Sequence, residues 1–428
     1  MDTFTSASRL GSQVVRLPEP LGTAYGVTLS PDQKQYRFQI LVHGSGATSV
    51  YEDEFFFSSL TLEDPSKVPP ESNNSAWARA RRNPVIRATC GLDVTQTIER
   101  LWILAYAVFS LRPELELFRL VLKSENEQKL LPVLLETGLA IPHPAPSAPP
   151  GQPVPLCENY KQELVVYRAS FWQGAGSPFG PRPVWLGSSS ELLRRPYYYP
   201  LQPLEYTLTT RFPDARVHAR HPIRPPKPEP GSLIYSRYIP HLNETFSMIA
   251  FDWTNEEHVK YFHEWQNSPR VAAGWNETGT LEQHREYLRK IHEDPHQFAV
   301  LGRFDGTPFA YFEIYWAKED HIGAYYDAQD YDRGRHFLVG DERYRGPHRV
   351  KAWHTSLTHY MFLDDPRTNF VVGEPRATGV KVLSYDQANG YHVEKFIDLP
   401  HKRAALVKCS REKFFQLVPF DYEDGKGA

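Results

Sequence analysis

One histidine, one basic loop and one carboxylate stand close together in the sequence, each of a type that can do chemistry. His336 opens the apolar run 336–339, which reads as a strand. A neutral imidazole can accept a proton near neutral pH. Strand alternation sets His336 and Leu338 on one face, with Phe337 and Val339 on the other. The loop that follows ends in Arg343-Tyr344-Arg345-Gly346-Pro347-His348-Arg349 and leads into a helix expected over 348–362. Guanidinium forks, a glycine that lets backbone come close and a positive helix end together make a cradle for a diphosphate. Pro347 suits the first helical turn, where its missing N–H costs little. Glu374 ends the apolar run 369–374. Ligands of open α/β sheets sit at the carboxyl ends of strands, so this acid could orient an imidazole or a substrate ammonium. Each feature also has an ordinary reading: a satisfied core histidine, a polar loop with exposed arginines, a solvated strand-end acid. Residue types alone leave both readings open.

Ahead of the histidine lies an acidic and aromatic stretch holding Glu313, Tyr315, Trp316, Tyr325, Asp327 and Asp332. Carboxylates and ring faces of this kind can receive a cationic small molecule, although a charged surface loop has the same composition. No metal is expected. His292 and His296 are four apart, but Pro295 breaks the helix that would align them. The three cysteines, Cys90, Cys157 and Cys409, are too widely spaced for a metal knuckle or a disulfide framework.

These residues need elements to hold them. The pattern is mixed α/β (α+β). Strands are expected near 36–42, 115–122, 163–168 and 206–211, and helices over 95–111 and 125–139, the latter broken near Pro132. From residue 235 the order reads β-α-α-β-β-β-α-β-α-β-β. Thr95 can cap the helix 95–111. Thr254 with Glu257, and Thr280, can cap two more. Asp305-Gly306 between two apolar runs predicts a tight hairpin. The domains are read as 1–220, mixed α/β with a Pro-rich insertion at 141–155, a Pro-rich linker at 221–231, and 232–428. A net charge of −3 points to no nucleic-acid field. No apolar run reaches the roughly 18 residues a membrane span needs. The first residues lack a secretory signal and the last are not of the Ser-Lys-Leu type, so a cytoplasmic protein is expected, or a peroxisomal one if a C-terminal signal is missing from this chain.

Taken together, the C-terminal half resembles the GNAT acyltransferases, and more closely the siderophore-biosynthesis branch with fungal hydroxyornithine acyltransferases and bacterial hydroxylysine acetyltransferases. The resemblance rests on Phe312-Glu313-Ile314-Tyr315-Trp316, on Tyr325-Tyr326-Asp327 through Asp332-Arg333-Gly334 and His336, on Arg343 to Arg349, and on Gly373-Glu374-Pro375-Arg376. Leu399-Pro400-His401-Lys402-Arg403-Ala404-Ala405-Leu406 also fits it, and it covers about residues 232–420. It implies a GNAT domain at the C-terminus and a degenerate GNAT-like domain before it. It implies that Leu338, Val339 and Gly340 hold the pantetheine arm of an acyl-CoA, acetyl or anhydromevalonyl. It assigns the pyrophosphate to Arg343, Arg345, Gly346, Pro347, His348 and Arg349. His336 becomes the general base with Glu374 beside it, and Glu313, Tyr315, Trp316, Tyr325, Asp327 and Asp332 become the acceptor site. His348 departs from the family's small residue, and Gly379 stands where its acidic motif continues to Asn. The implied reaction acylates the hydroxylamine nitrogen of N5-hydroxyornithine to a hydroxamate, alongside other siderophore-pathway enzymes. An N6-hydroxylysine acceptor and a catalytically inactive CoA-binding scaffold are the alternatives.

Overall fold

The computed structural model describes residues 14–19, 22–29, 35–41, 48–49, 54–146, 163–175, 205–211, 217–418 and 420. The chain divides into two compact units, residues 1–196 and 197–428. The hairpin of Tyr206–Arg211 and Val217–Pro222 therefore counts with the second unit. Most of the Pro-rich insertion, residues 147–155, lies outside the described residues.

The second unit is built on one sheet. Its strands are β1 (Leu233–Ile239), β2 (Glu244–Ala250), β3 (Gln297–Phe304), β4 (Thr307–Trp316), β5 (Arg333–Val339), β6 (Phe370–Gly373), β7 (His392–Leu399) and β8 (Lys402–Ser410). They run in the order β1-β2-β3-β4-β5-β6-β8-β7, and every pairing is antiparallel except β5 with β6. Helices α1 (Glu256–Gln266), α2 (Pro269–Trp275) and α3 (Leu281–Glu293) join β2 to β3. Helix α4 (Pro347–Asp364) makes the parallel crossover from β5 to β6, and α5 (Val380–Ala388) follows β6.

Local chemistry explains most boundaries. Asp305 and Gly306 both take positive φ, +44° and +78°, as a two-residue primed turn requires, and β3 and β4 pair across them. Thr280 and Gln283 close a reciprocal capping box on α3. Two expected caps are displaced. Asn255, rather than Thr254, caps α1: its Oδ1 accepts from the N–H groups of Glu257 and His258, while Thr254 donates to Asp252. In the first unit Asp93, rather than Thr95, caps the helix Val94–Leu111. Helix Glu127–Thr137 continues through Pro132 instead of breaking there. Strand β1 and helix α2 add elements that periodicity did not separate. The apolar faces of α1 and α3 cover the sheet through Val259, Phe262, Trp265, Leu288 and Ile291, which pack on Leu301, Tyr311 and Leu338.

The first unit repeats the second unit's connections. Strands Val85–Cys90 and Leu117–Ser124 are parallel and joined by the 18-residue helix Val94–Leu111, as β5 and β6 are joined by the 18-residue α4. Helix Glu127–Thr137 follows, and strand Glu163–Tyr167 then pairs antiparallel between Leu117–Ser124 and Ile141–Pro142, as β8 does between β6 and β7. One difference matters. The parallel pair of the first unit is in register over six positions, Val85 with Arg119 through Cys90 with Ser124. In the second unit only Arg333 with Val371 and Gly334 with Val372 are paired.

Candidate active site

Because β5 and β6 separate after two paired positions, the edge of β5 from Arg335 to Val339 is left without β6 along it. That opens a cleft between β5, α4 and α5. A cavity of about 520 Å³ occupies it, lined by Phe337, Leu338, Val339, Arg345, Gly346, Pro347, Lys381 and Tyr385 among others. Along the cleft the Phe337 C=O accepts from Trp275 Nε1 (3.3 Å) and the Val339 C=O from Arg270 (2.7 Å), so side chains of α2 hold part of the strand edge that β6 leaves. Helix α5 is held in place by a buried ion pair of Asp386 with Arg335, and by a 2.9 Å bond of the same acid to His354. Burial, with the Arg335 charge beside it, holds His354 down at about 4.

A second cavity of about 750 Å³ lies next to the first and shares Gly274, Trp275, Phe337 and Val382 with it. His336 stands in its wall. Register, not sequence proximity, builds its surroundings. Glu313 of β4 is directly opposite His336, and Tyr315 is opposite Gly334, so all four share one face. His336 Nδ1 is 2.9 Å from Glu313 Oε2, and Nε2 is 2.6 Å from Glu374 Oε1. Glu313 also accepts from Tyr287 (2.6 Å) and Tyr311 (2.9 Å), and Glu374 from Tyr315 (2.9 Å). Gly334 is required here, since a Cβ would fall 1.9 Å from the Tyr315 ring.

The electrostatics follow from this packing. Burial works against a charged His336, but the Glu374 charge and the bonds to both acids outweigh it and raise the imidazole to about 10. Burial likewise works against a charged Glu374; His336, Lys402 and His321 overcome it and lower the acid to about 2. The ring is about 30% exposed, on the cavity side. With its value raised to about 10 and both nitrogens engaged, His336 favours the protonated form near neutral pH, so it can accept a proton only after passing one to a carboxylate or to water.

The expected loop residues divide. Gly346 has φ +125° and precedes α4, whose first turn carries no side-chain cap. A Cβ at Gly346 would meet the His348 ring at 2.7 Å. Arg345, Gly346 and Pro347 face the 520 Å³ cavity together with Leu338 and Val339. An extended amide arm and a diphosphate fit this cleft and helix end. Arg343 is turned to Asp341 (2.6 Å) and exposed, and Arg349 forks onto Glu244 and stacks on Tyr344. Gly340 allows close approach, because a Cβ would lie 2.0 Å from the Trp265 ring.

The expected acceptor residues divide as well. Glu313 lines the larger cavity, and Tyr315 reaches its edge by bonding Glu374. Trp316 is buried beneath the Arg224 and Arg333 guanidiniums. Tyr325 packs on the core beneath, Asp327 is bonded by Gln329, and Asp332 is buried against Tyr326 and Gln329. None of these four lines the cavity. Sequence reasoning missed Trp275, Glu277, Tyr287, His321, Arg376, His401 and Lys402, which do. For three of them a signal existed. Arg376 ends the Gly373–Arg376 stretch, and His401 and Lys402 fall in the Leu399–Leu406 stretch, although nothing in their residue types ties either stretch to a cavity.

Residues 254–399 match the acetyltransferase (GNAT) domain model. A hydroxyornithine transacylase of Ajellomyces capsulatus is 51% identical over 95% of this chain and 94% of its own. An N5-hydroxyornithine:cis-anhydromevalonyl coenzyme A N5-transacylase of Beauveria bassiana is 49% identical over 96% and 94%. The chain belongs to this family of GNAT acyltransferases. An N6-hydroxylysine O-acetyltransferase of Escherichia coli is a more distant relative, 34% identical over 60% of this chain and 73% of its own. This GNAT protein is thus an acyl-CoA-dependent N-acyltransferase. Among the described residues there is no cluster of side chains able to hold a metal ion and no helix long and apolar enough to cross a membrane.

Proposed function

We propose that this GNAT acyltransferase acylates the hydroxylamine nitrogen of N5-hydroxyornithine, with acetyl-CoA or anhydromevalonyl-CoA as donor, to make a siderophore hydroxamate. The observation that carries the reading is His336, held between two buried carboxylates where the donor cleft meets a polar cavity. The relatives above support the choice of acceptor. The nitrogen lone pair attacks the thioester carbonyl carbon, the C–S bond breaks and CoA leaves as a thiolate. When the acceptor binds, His336 passes its Nε2 proton to Glu374, and the neutral imidazole then takes the N–H proton from the attacking nitrogen; the re-formed imidazolium protonates the thiolate, which leaves as free CoA, and Glu374 returns its proton to the ring. Leu338, Val339, Gly340, Arg345, Gly346 and Pro347 hold the donor, with Arg343, His348 and Arg349 at the outer end of the loop. Glu313 and Tyr315 face the acceptor side, while Trp316, Tyr325, Asp327 and Asp332 support the wall from behind. The protein is proposed to work in the cytoplasm.

Incubating the purified chain with N5-hydroxyornithine and each acyl-CoA should release free CoA and a ferric-binding hydroxamate together. His336→Ala should abolish turnover while keeping CoA affinity. Absence of hydroxamate from either donor, with hydroxyornithine or hydroxylysine, would overturn the reading.

A further inference from the structure

The larger cavity is lined by three acids, Glu277, Glu313 and Glu374. It is also lined by Arg376 from the turn after β6, by His401, and by Lys402 at the start of β8. An isolated bridge between Arg376 and Ala404, with Ala405 N–H donating to Pro375 C=O at 2.9 Å, brings these two segments side by side. Lys402 Nζ is 3.7 Å from Glu374 Oε1, too long for a hydrogen bond, and Arg376 has no side-chain hydrogen bond among the described residues. Lys402 is ion-paired with Glu374 at this longer range, and both basic side chains line the cavity.

We propose that Lys402, with Arg376 beside it, binds the α-carboxylate of the amino-acid acceptor and so selects an amino acid over a simple hydroxylamine. The inference rests on the acyl-transfer function proposed above. Distance supports it. Glu374 Oε1 is 2.6 Å from His336 Nε2, so the two distances laid end to end put the Lys402 ammonium no farther than 6.3 Å from the ring. An extended ornithine chain spans roughly 6 Å from its side-chain nitrogen to its carboxyl carbon. A hydroxylamine held at His336 thus brings its carboxylate to Lys402. Arg376 adds a second donor with a planar fork suited to a carboxylate. Sequence alone hid this pairing, because the two basic residues are distant in the chain and meet only through the bridge to β8.

The test compares two acceptors that share a hydroxylamine and a polymethylene chain. N5-hydroxyornithine carries the carboxylate, and N-hydroxyputrescine lacks it. The native enzyme should favour the first in kcat/KM by about tenfold or more, carried by KM. In Lys402→Met and Arg376→Gln that preference should collapse toward unity, while the Kd for CoA stays within about twofold as evidence of a sound fold. An equal loss with both acceptors would place Lys402 in support of Glu374 instead and overturn the proposal. A preference that survives both substitutions would overturn it too. Failure of the native enzyme with both acceptors would sink the acyl-transfer reading itself, an outcome distinct from either.

Discussion

Replacing Glu374 by Gln tests whether the two carboxylates set the charge of His336. The imidazole stands at about 10 against an ordinary 6.5, with acids at 2.9 and 2.6 Å. One opposite charge at this range is worth about 1–3 pKa units. That corresponds to about 1.4–4 kcal/mol of preference for the charged ring. Glu374→Gln keeps the shape and the Tyr315 contact but leaves Glu313 as the one acid on the ring. The His336 resonance should therefore titrate between about 7 and 9 instead of near 10. The consequence for stability has a definite sign. A histidine whose folded value is raised stabilises the fold fully below about 6.5, and that contribution is lost as pH rises toward 10. The variant should lose less stability over that window than the native chain. The acid limb of kcat/KM, followed by thiol release, should move to lower pH in parallel with the resonance. An imidazole that still titrates near 10 in the variant would refute the argument, as would an acid limb that does not move.

Three further outcomes are expected. Gly346→Ala should raise the Kd for CoA by about tenfold with little loss of Tm, since the φ of +125° and the His348 ring both oppose a Cβ and the helix end must shift; an unchanged Kd by calorimetry would remove that turn from the donor site. Asp332 is buried, one of its oxygens lacks a partner, and burial raises it to about 6. Its charge therefore costs stability as pH rises from about 4 to 6, and Asp332→Asn should raise stability by about 1–2 kcal/mol at pH 7.5, with the gain fading as pH falls from 6 to about 4 in urea titrations. The native chain should bind one CoA, not two, in calorimetry. The first unit's parallel strands stay paired over six positions, and Asp93 already occupies the helix end that a phosphate would need.

The sequence by itself determined the local parts. Apolar alternation gave β5, Gly346-Pro347 set the start of α4, and Asp305-Gly306 fixed the hairpin, because each depends on the φ preferences and side-chain periods of neighbouring residues. The glutamates flanking His336 were visible as acids, but their roles were not. Glu313 meets the ring because of the β4–β5 register, and Glu374 because β6 stops beside it. Only tertiary structure could decide that both ring nitrogens are occupied and that the two carboxylates raise the imidazole well above its ordinary value. The same holds for Arg343 and Arg349, which sequence spacing offered to a phosphate and which folding gave to Asp341 and Glu244. Partners brought close by sheet register and loop packing leave no periodic trace in the chain. The resemblance implied a related fold ahead of the C-terminal domain, but the shared connections of the two units are legible only in strand order. What separates them is physical: six paired positions close the first unit's sheet, and two leave the second open for a ligand.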